Sequence, residues 1–479
     1  MSAMEKISRR EFLGSAAAGS MLLASGLAGH PLAAAEESGW PKLSPVKIHV
    51  VYVGTGGAWP TPMFDAPAEV KKFKNYLAGV EARLGDVRFV GGELIPNTLQ
   101  AAAKIAANLR NADAALLIHL SFGSGEPLLK LVDVGLPTAI FSQPFSGHDW
   151  MYVPRWQKTG KKVILLTSSD YGEIERAAAL LRVPVHLGQS RIIVVGNAKG
   201  TAPACAAEQV KSHLGPEVVK ISQEQVTLAH EAIDLKAAEA EAEQYWIRPA
   251  KQIIEPSRAD IVNSARLYLA IKDIMIKEQA QAITSSHCMG TPAKGCLTFS
   301  KLNDLGLVGA CEGDMDSTLT MLIFAYAFGV PGFISDPLFD TSKNAVIHAH
   351  CTSTTKLDGP DGQRAPFLIR TQCDSNQGVS LEVQMRVNQQ ITCAKLVNLD
   401  TMLISTGKII ELTDFYDRGC RTQITTKVAN AREMAHNWSS RILNDDMMTL
   451  LHRVVFYGNH LESTKDLAAL MGLRVVEEG

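Results

Sequence analysis

The chain has 479 residues, 46% hydrophobic and 20% charged, which is ordinary globular usage and excludes a disordered tail, a fibrous repeat or a charged nucleic-acid arm. Its 47 basic and 49 acidic residues leave a net charge of −2, so no nucleic acid is expected as a partner and a small molecule is. Eight cysteines are too sparse for a disulfide scaffold.

Residues 1–35 read as an address. Ser8-Arg9-Arg10-Glu11-Phe12-Leu13 is followed by a small-residue and apolar stretch over 14–29, and Ala33-Ala34-Ala35 precedes Glu36-Glu37. A basic region, a modest apolar region and an A-x-A-like site describe a signal peptide, and the paired arginines specify the twin-arginine route. The apolar stretch falls short of the roughly 20 residues of a spanning helix. The expected partner during targeting is the twin-arginine export machinery, with a soluble protein in the periplasm or outside the cell.

Apolar runs at 47–53, 114–120, 137–141 and 162–166 alternate with helical patterns at 66–84, 99–109 and 171–181. Such alternation signals βαβ units and a parallel sheet, giving a first α/β domain over 40–188. A second α/β domain, 189–354, opens on the strand at 191–195. It continues through long helical stretches at 227–245 and 257–278, a strand at 307–310, a helix at 318–328 and a strand at 332–335. From about 355 the texture becomes β-rich, with a turn at Pro360-Asp361-Gly362 and alternation over 379–387. The fold class is therefore α/β: two parallel-sheet domains followed by a β-rich C-terminal domain, 355–479.

Two glycine-rich turns follow strands, at Gly54–Gly57 and Gly196–Gly200, but neither spells G-x-G-x-x-G or a P-loop. They read as tight corners. His287-Cys288 with Cys296 has the start of a zinc corner without a second pair to complete it. More informative is Gly309-Ala310-Cys311-Glu312-Gly313-Asp314, where a strand meets a helix. Gly332-Phe333-Ile334-Ser335-Asp336-Pro337 repeats that pattern two dozen residues later. One crossover helix fits between them, which would bring Glu312 and Asp336 to the same end of neighbouring parallel strands. Two adjacent carboxylates repel unless a cation or proton lies between them. His452 opens the apolar run 454–457, and oxygen ligands plus an imidazole suit Mn²⁺, Fe²⁺, Co²⁺ or Mg²⁺.

These residues carry a resemblance. The segment 310–314, Asp336 at its spacing, and His452 with Gly458 six positions on resemble the L-fucose isomerase family and its arabinose-isomerase relatives. The resemblance implies a fucose isomerase-like layout. It also implies one divalent metal, usually Mn²⁺, held by Glu312, Asp336 and His452, and aldose–ketose interconversion of a carbohydrate through an enediolate. Glu312 and Asp336 would be the acid–base pair as well as ligands. Sites in that family lie between subunits, which implies a homo-oligomer, a trimer or hexamer. Two features depart from the family: the chain is shorter than the fucose enzymes, and it carries an export leader. His350 resembles a ligand of the arabinose branch, with a supporting or core role preferred; Trp59 and His148-Asp149-Trp150 read as loop anchors ahead of sugar contacts. An exported sugar-binding protein without chemistry, and a metal-dependent epimerase or lyase, stay open as alternatives.

Overall fold

The computed structural model describes residues 39–56, 59–288, 290, 292–416, 418–440 and 451–479, so the segment expected to be a leader, 1–35, lies outside the described residues. Strands β1 (Val46–Val53), β2 (Val87–Ile95), β3 (Ala114–His119), β4 (Thr138–Ser142) and β5 (Val163–Thr167) form a parallel sheet in the order 2-1-3-4-5. Central β3 and β4 are buried along their whole length and β1 at all but Lys47, as runs such as Ala-Ala-Leu-Leu-Ile-His require. The order reverses between β1 and β3, which opens a crevice at their carboxyl ends.

A second parallel sheet contains β6 (Arg191–Val195) and β7 (Glu217–Ile221). The two-residue β8 (Gln252–Ile253) pairs elsewhere, and β9 (Ala282–Ser285) and β10 (Val308–Ala310) complete the order 10-9-6-7. Neither β2 nor β7 falls on an apolar run of the sequence. Both are sheet edges with solvent along part of their length, so alternation is blurred and Gly91-Gly92 interrupts β2.

The remaining strands are β11 (Phe333–Asp340), β12 (Ala345–His350), β13 (Phe367–Arg370), β14 (Ser380–Val383), β15 (Gln390–Val397), β16 (Thr401–Leu412), β17 (Thr422–Lys427), β18 (Arg453–Tyr457) and β19 (Arg474–Glu477). Strands 15-18-11-12-17-16 run antiparallel, and β16 pairs back onto β15, closing a six-stranded barrel with β19 appended to β16. Closure removes the free edges that a long antiparallel sheet would otherwise expose. The three main sheets span 46–167, 191–310 and 333–477. Parallel-sheet α/β units followed by an antiparallel β unit are thus the architecture.

One expectation is corrected. The strand bearing Asp336 is no parallel neighbour of the strand before Glu312. β11 pairs antiparallel with β12 and β18, while β10 is the edge of the second sheet. Between them runs the helix Met315–Phe328, mostly apolar and buried along nearly its whole length. Such a helix belongs in the interior; here it contacts both β10 and β15, so it is the layer between the second sheet and the barrel. Asp314 caps its first turn by accepting from Ser317 N–H, and Gly329 ends it in the left-handed conformation.

Candidate metal centre

The register of the barrel sets two of the site residues side by side. Phe333 pairs with Val455 and Ser335 with Arg453, so Asp336 and His452 stand opposite each other one step beyond the last paired residues. His350 ends the neighbouring strand β12, whose Ala349 pairs with Asp336. Glu312 arrives from the other sheet, in the turn between β10 and the buried helix, on backbone with φ of 60° followed by Gly313 at 77°.

That turn is shaped by the glycine corner after β6. Lys199 N–H donates to Gly313 C=O and Met315 N–H to Lys199 C=O, a small parallel bridge. A side chain on Gly313 would meet Asn197 C=O, and one on Gly200 would press into the Asp316 carboxylate. Asp316 accepts from the backbone and hydroxyl of Thr201, and burial together with the charge of Asp314 pushes it up to about 7. The corner read from sequence as a tight turn therefore props the acidic turn from behind.

Around His452 the geometry is directional. Its Nδ1 lies 2.9 Å from Asp314 Oδ2, while Nε2 faces Asp336 Oδ1 at 3.4 Å and Glu312 Oε2 at 3.8 Å. Once the ring is neutral, donation from Nδ1 to Asp314 leaves the Nε2 lone pair aimed between the two carboxylates. Asp314 also receives the Lys395 ammonium at 2.9 Å, and Lys395 is itself fully buried. Burial would raise Asp314, but Lys395 and His452 outweigh it and hold the carboxyl far below the ordinary range. Burial would likewise lower His452, yet its hydrogen bond to Asp314 and the facing Asp336 carboxylate push it up to about 9. Asp336 is opposed by burial and still held down by His452 and His350. Arg453, the next residue, makes a fully buried pair with Glu478 that fixes the start of β18.

The donor set fits a divalent cation. Among the described residues the buried Nε2 atoms of His452 and His350 have no hydrogen-bond partner, a condition that buried polar groups rarely tolerate. Ligand atoms of Asp336, His350 and His452 lie within 4.8 Å of one another, as do those of Cys311, Glu312 and His350. The Glu312 and Asp336 side chains are 32% and 34% exposed against 1% for His452, so the carboxylates are reachable from solvent and the imidazole is not. His350 differs from His452 in its wiring. Cys351 N–H donates to its Nδ1 at 2.7 Å, so a neutral ring carries its proton on Nε2 and presents a donor rather than a lone pair. That wiring suits a supporting role.

Other candidates fall elsewhere. His287, Cys288 and Cys296 do not gather into a metal-sized group among the described residues; Cys288 instead meets Cys311 at 3.1 Å and accepts from Glu312 N–H. Asp149 is a loop anchor, accepting from the backbone of Gly123 and Gly125 and from His119. Trp59 lies 6.1 Å from the rings of Phe122 and His148 at the crevice of the first sheet. Sequence reasoning gave no role to Asp314 or Lys395. A lysine inside the apolar run Cys393-Ala394-Lys395-Leu396 was the available signal for the latter.

An α/β protein with a carboxylate–imidazole cluster at the mouth of a closed antiparallel barrel is the class that fold and site define. Comparison with characterised proteins adds a local likeness. Over 94 residues, 18% of this chain, it is 34% identical to the sulfoquinovose isomerase of Clostridium sp. (strain MSTE9), and the match spans 20% of that protein's length. No family model matches the chain. Among solved structures, an ABC-transporter solute-binding protein of Agrobacterium vitis bound with alpha-D-tagatopyranose is 13% identical, covering 59% of this chain and 89% of its own, at a TM-score of 0.17. A superposition that poor carries no argument about fold or ligand.

Proposed function

We propose that the protein is a metal-dependent sugar isomerase interconverting an aldose and a ketose, or a related sugar derivative, through an enediolate. The observation that carries this reading is the meeting of Glu312, Asp336 and the unpartnered Nε2 of His452 from two different sheets. The local identity to a sulfoquinovose isomerase supports the same reaction class. Glu312, Asp336 and His452 would hold the ion, Mn²⁺ by preference, with Mg²⁺, Co²⁺ or Fe²⁺ as alternatives. When bound, such an ion polarises a carbonyl and fixes two adjacent substrate oxygens.

The chain's own residues do the rest. One of the two solvent-reachable carboxylates takes the carbon-bound proton and returns it to the neighbouring carbon, while the other handles the hydroxyl proton. Asp314 holds the His452 ring and fixes which nitrogen faces the site. His350, whose Nδ1 accepts from Cys351 N–H, would offer its Nε2–H to a substrate oxygen. The proposal includes export by the twin-arginine route, action in the periplasm or outside the cell, and assembly as a homo-oligomer, a trimer or hexamer.

The test is incubation of Mn²⁺-loaded protein in D₂O with aldoses, sugar acids and a sulfonated hexose, followed by NMR. Ketose formation with deuterium entering at the carbon next to the carbonyl is expected. Epimers or dehydrated products would assign a different reaction to the same residues. Binding of a sugar by calorimetry with no turnover of any substrate would replace the enzyme by a binding protein.

A further inference from the structure

Three more potential ligands meet outside the carboxylate cluster. Cys351 follows β12, Cys373 follows β13 and Cys420 precedes β17, so they come from three separate segments. Their sulfurs nevertheless lie within 4.8 Å of one another, with Cys373 and Cys420 at 3.2 Å. All three are free thiols; Cys351 is buried and the other two half-buried.

The segments are held in place without the sulfurs. His350 pairs with Thr422 across β12 and β17, which sets Cys351 beside Arg421. The buried Arg421 guanidinium donates to Thr371 C=O at 2.8 Å, to Thr371 Oγ1 at 3.2 Å and to Asn376 Oδ1 at 3.1 Å, clamping the Cys373 loop to the Cys420 loop. Gln372 Oε1 accepts from Ser375 N–H and hydroxyl, closing the first loop on itself. Asp374 Oδ1 sits 3.2 Å from Cys373 Sγ.

We infer that Cys351, Cys373 and Cys420 form a second cation site, selective for a thiophilic d¹⁰ ion of the Zn²⁺ kind. With Zn–S bonds of about 2.3 Å, tetrahedral ligation sets sulfurs about 3.8 Å apart, inside the spread seen here. Binding releases the thiol protons, and three thiolates with one divalent ion carry a single negative charge, which the clamping Arg421 balances. A disulfide would use two of the sulfurs and leave the third; a cation uses all three and leaves one position open beside Asp374. Soft sulfur ligands at this site and hard carboxylates at the barrel mouth sort two different metals. Because Cys351 adjoins His350, the ion would staple both loops to the strand end that borders the carboxylate cluster.

The experiment is a Cd²⁺ titration of the full-length, reduced, metal-stripped protein, read as the ultraviolet sulfur-to-cadmium charge-transfer band. The band should saturate at one ion per chain, be displaced by Zn²⁺, lose about a third of its intensity in Cys420→Ser, and survive in His452→Ala. Cys373→Ser/Cys420→Ser, which leaves a single thiolate, should remove at least about two thirds of it. No band in the wild type, or a full band in the double variant, overturns the site. A fold-independent measurement accompanies it: Zn²⁺ should slow alkylation of these three cysteines in the wild type, followed by peptide mass spectrometry, by at least about tenfold. Unchanged alkylation, or closure of a Cys373–Cys420 disulfide in the presence of Zn²⁺, counts against the proposal.

Discussion

The buried carboxylate–imidazole pairs His119–Asp149 and His452–Asp314 both stand at the ends of strands, and they differ in what the second ring nitrogen meets. In the first sheet, His119 Nε2 contacts Asp149 at 3.1 Å and Ser121 C=O at 3.0 Å, and Nδ1 contacts Ser142 at 2.9 Å. Every polar atom of that ring has a neighbour, and Asp149 spends its remaining capacity on the backbone of the 121–125 loop. At the barrel mouth, His452 has the same carboxylate contact on Nδ1, but its Nε2 meets two carboxylates and no hydrogen-bond partner among the described residues. The saturated pair holds structure. An unsaturated one has coordination to offer, which is why the proposed ligand set lies at His452 and not at His119.

The largest effect that sharpens this contrast is on turnover. Glu312→Gln should lower kcat by roughly 10²–10⁴-fold, because an amide accepts a proton poorly, while retaining bound metal in elemental analysis. Next comes affinity. His452→Ala should weaken Mn²⁺ binding by about a hundredfold or more in competition against a chelating dye, and His119→Ala should leave it unchanged. Equal losses in the two variants would break the comparison.

The pH dependence follows from the sign of the His452 shift. Its pKa in the metal-free fold, about 9, lies above the ordinary imidazole value of 6.5, so its contribution to stability is full below about pH 6.5 and is lost as pH rises through 9. Metal binding needs that proton removed. Mn²⁺ affinity should therefore climb by up to ~tenfold per pH unit across the same window and flatten above it, measured by calorimetry in two buffers. The smallest effect belongs to the saturated pair: Asp149→Asn should cost about 1–3 kcal/mol in denaturant unfolding through lost charged hydrogen bonds, with no change in metal affinity.

The uneven legibility of this chain in its sequence has a physical pattern. Buried central strands announce themselves as apolar runs, whereas β2 and β7, with one edge in water, do not. Glu312, Asp336 and His452 stand out because each borders an apolar strand, but their union as one ligand set rests on the family resemblance. Their route to one another was misread, since a parallel crossover and an antiparallel barrel leave the same local pattern of strand, helix, strand. Pairing partners more than a hundred residues apart, such as Ser335 and Arg453, decide between them. Lys395 and Asp314 depend on that same long-range pairing, for the strand carrying Lys395 packs on the helix that Asp314 caps.

The backbone at Glu312 adds a last consequence. A non-glycine residue in the left-handed region is strained by about 1–2 kcal/mol, and here it sits beside a glycine that adopts the same sign of φ without penalty. Glycine at 312 would relax the turn, offset in part by its greater freedom in the unfolded chain, about 0.4–1 kcal/mol. The fold would then be no weaker, and could be firmer, without the carboxylate. A position where the architecture is indifferent to a side chain, or better off without it, is one whose residue answers to something other than folding. Stability screens of this protein should find their gains at 312 and lose the chemistry in the same step.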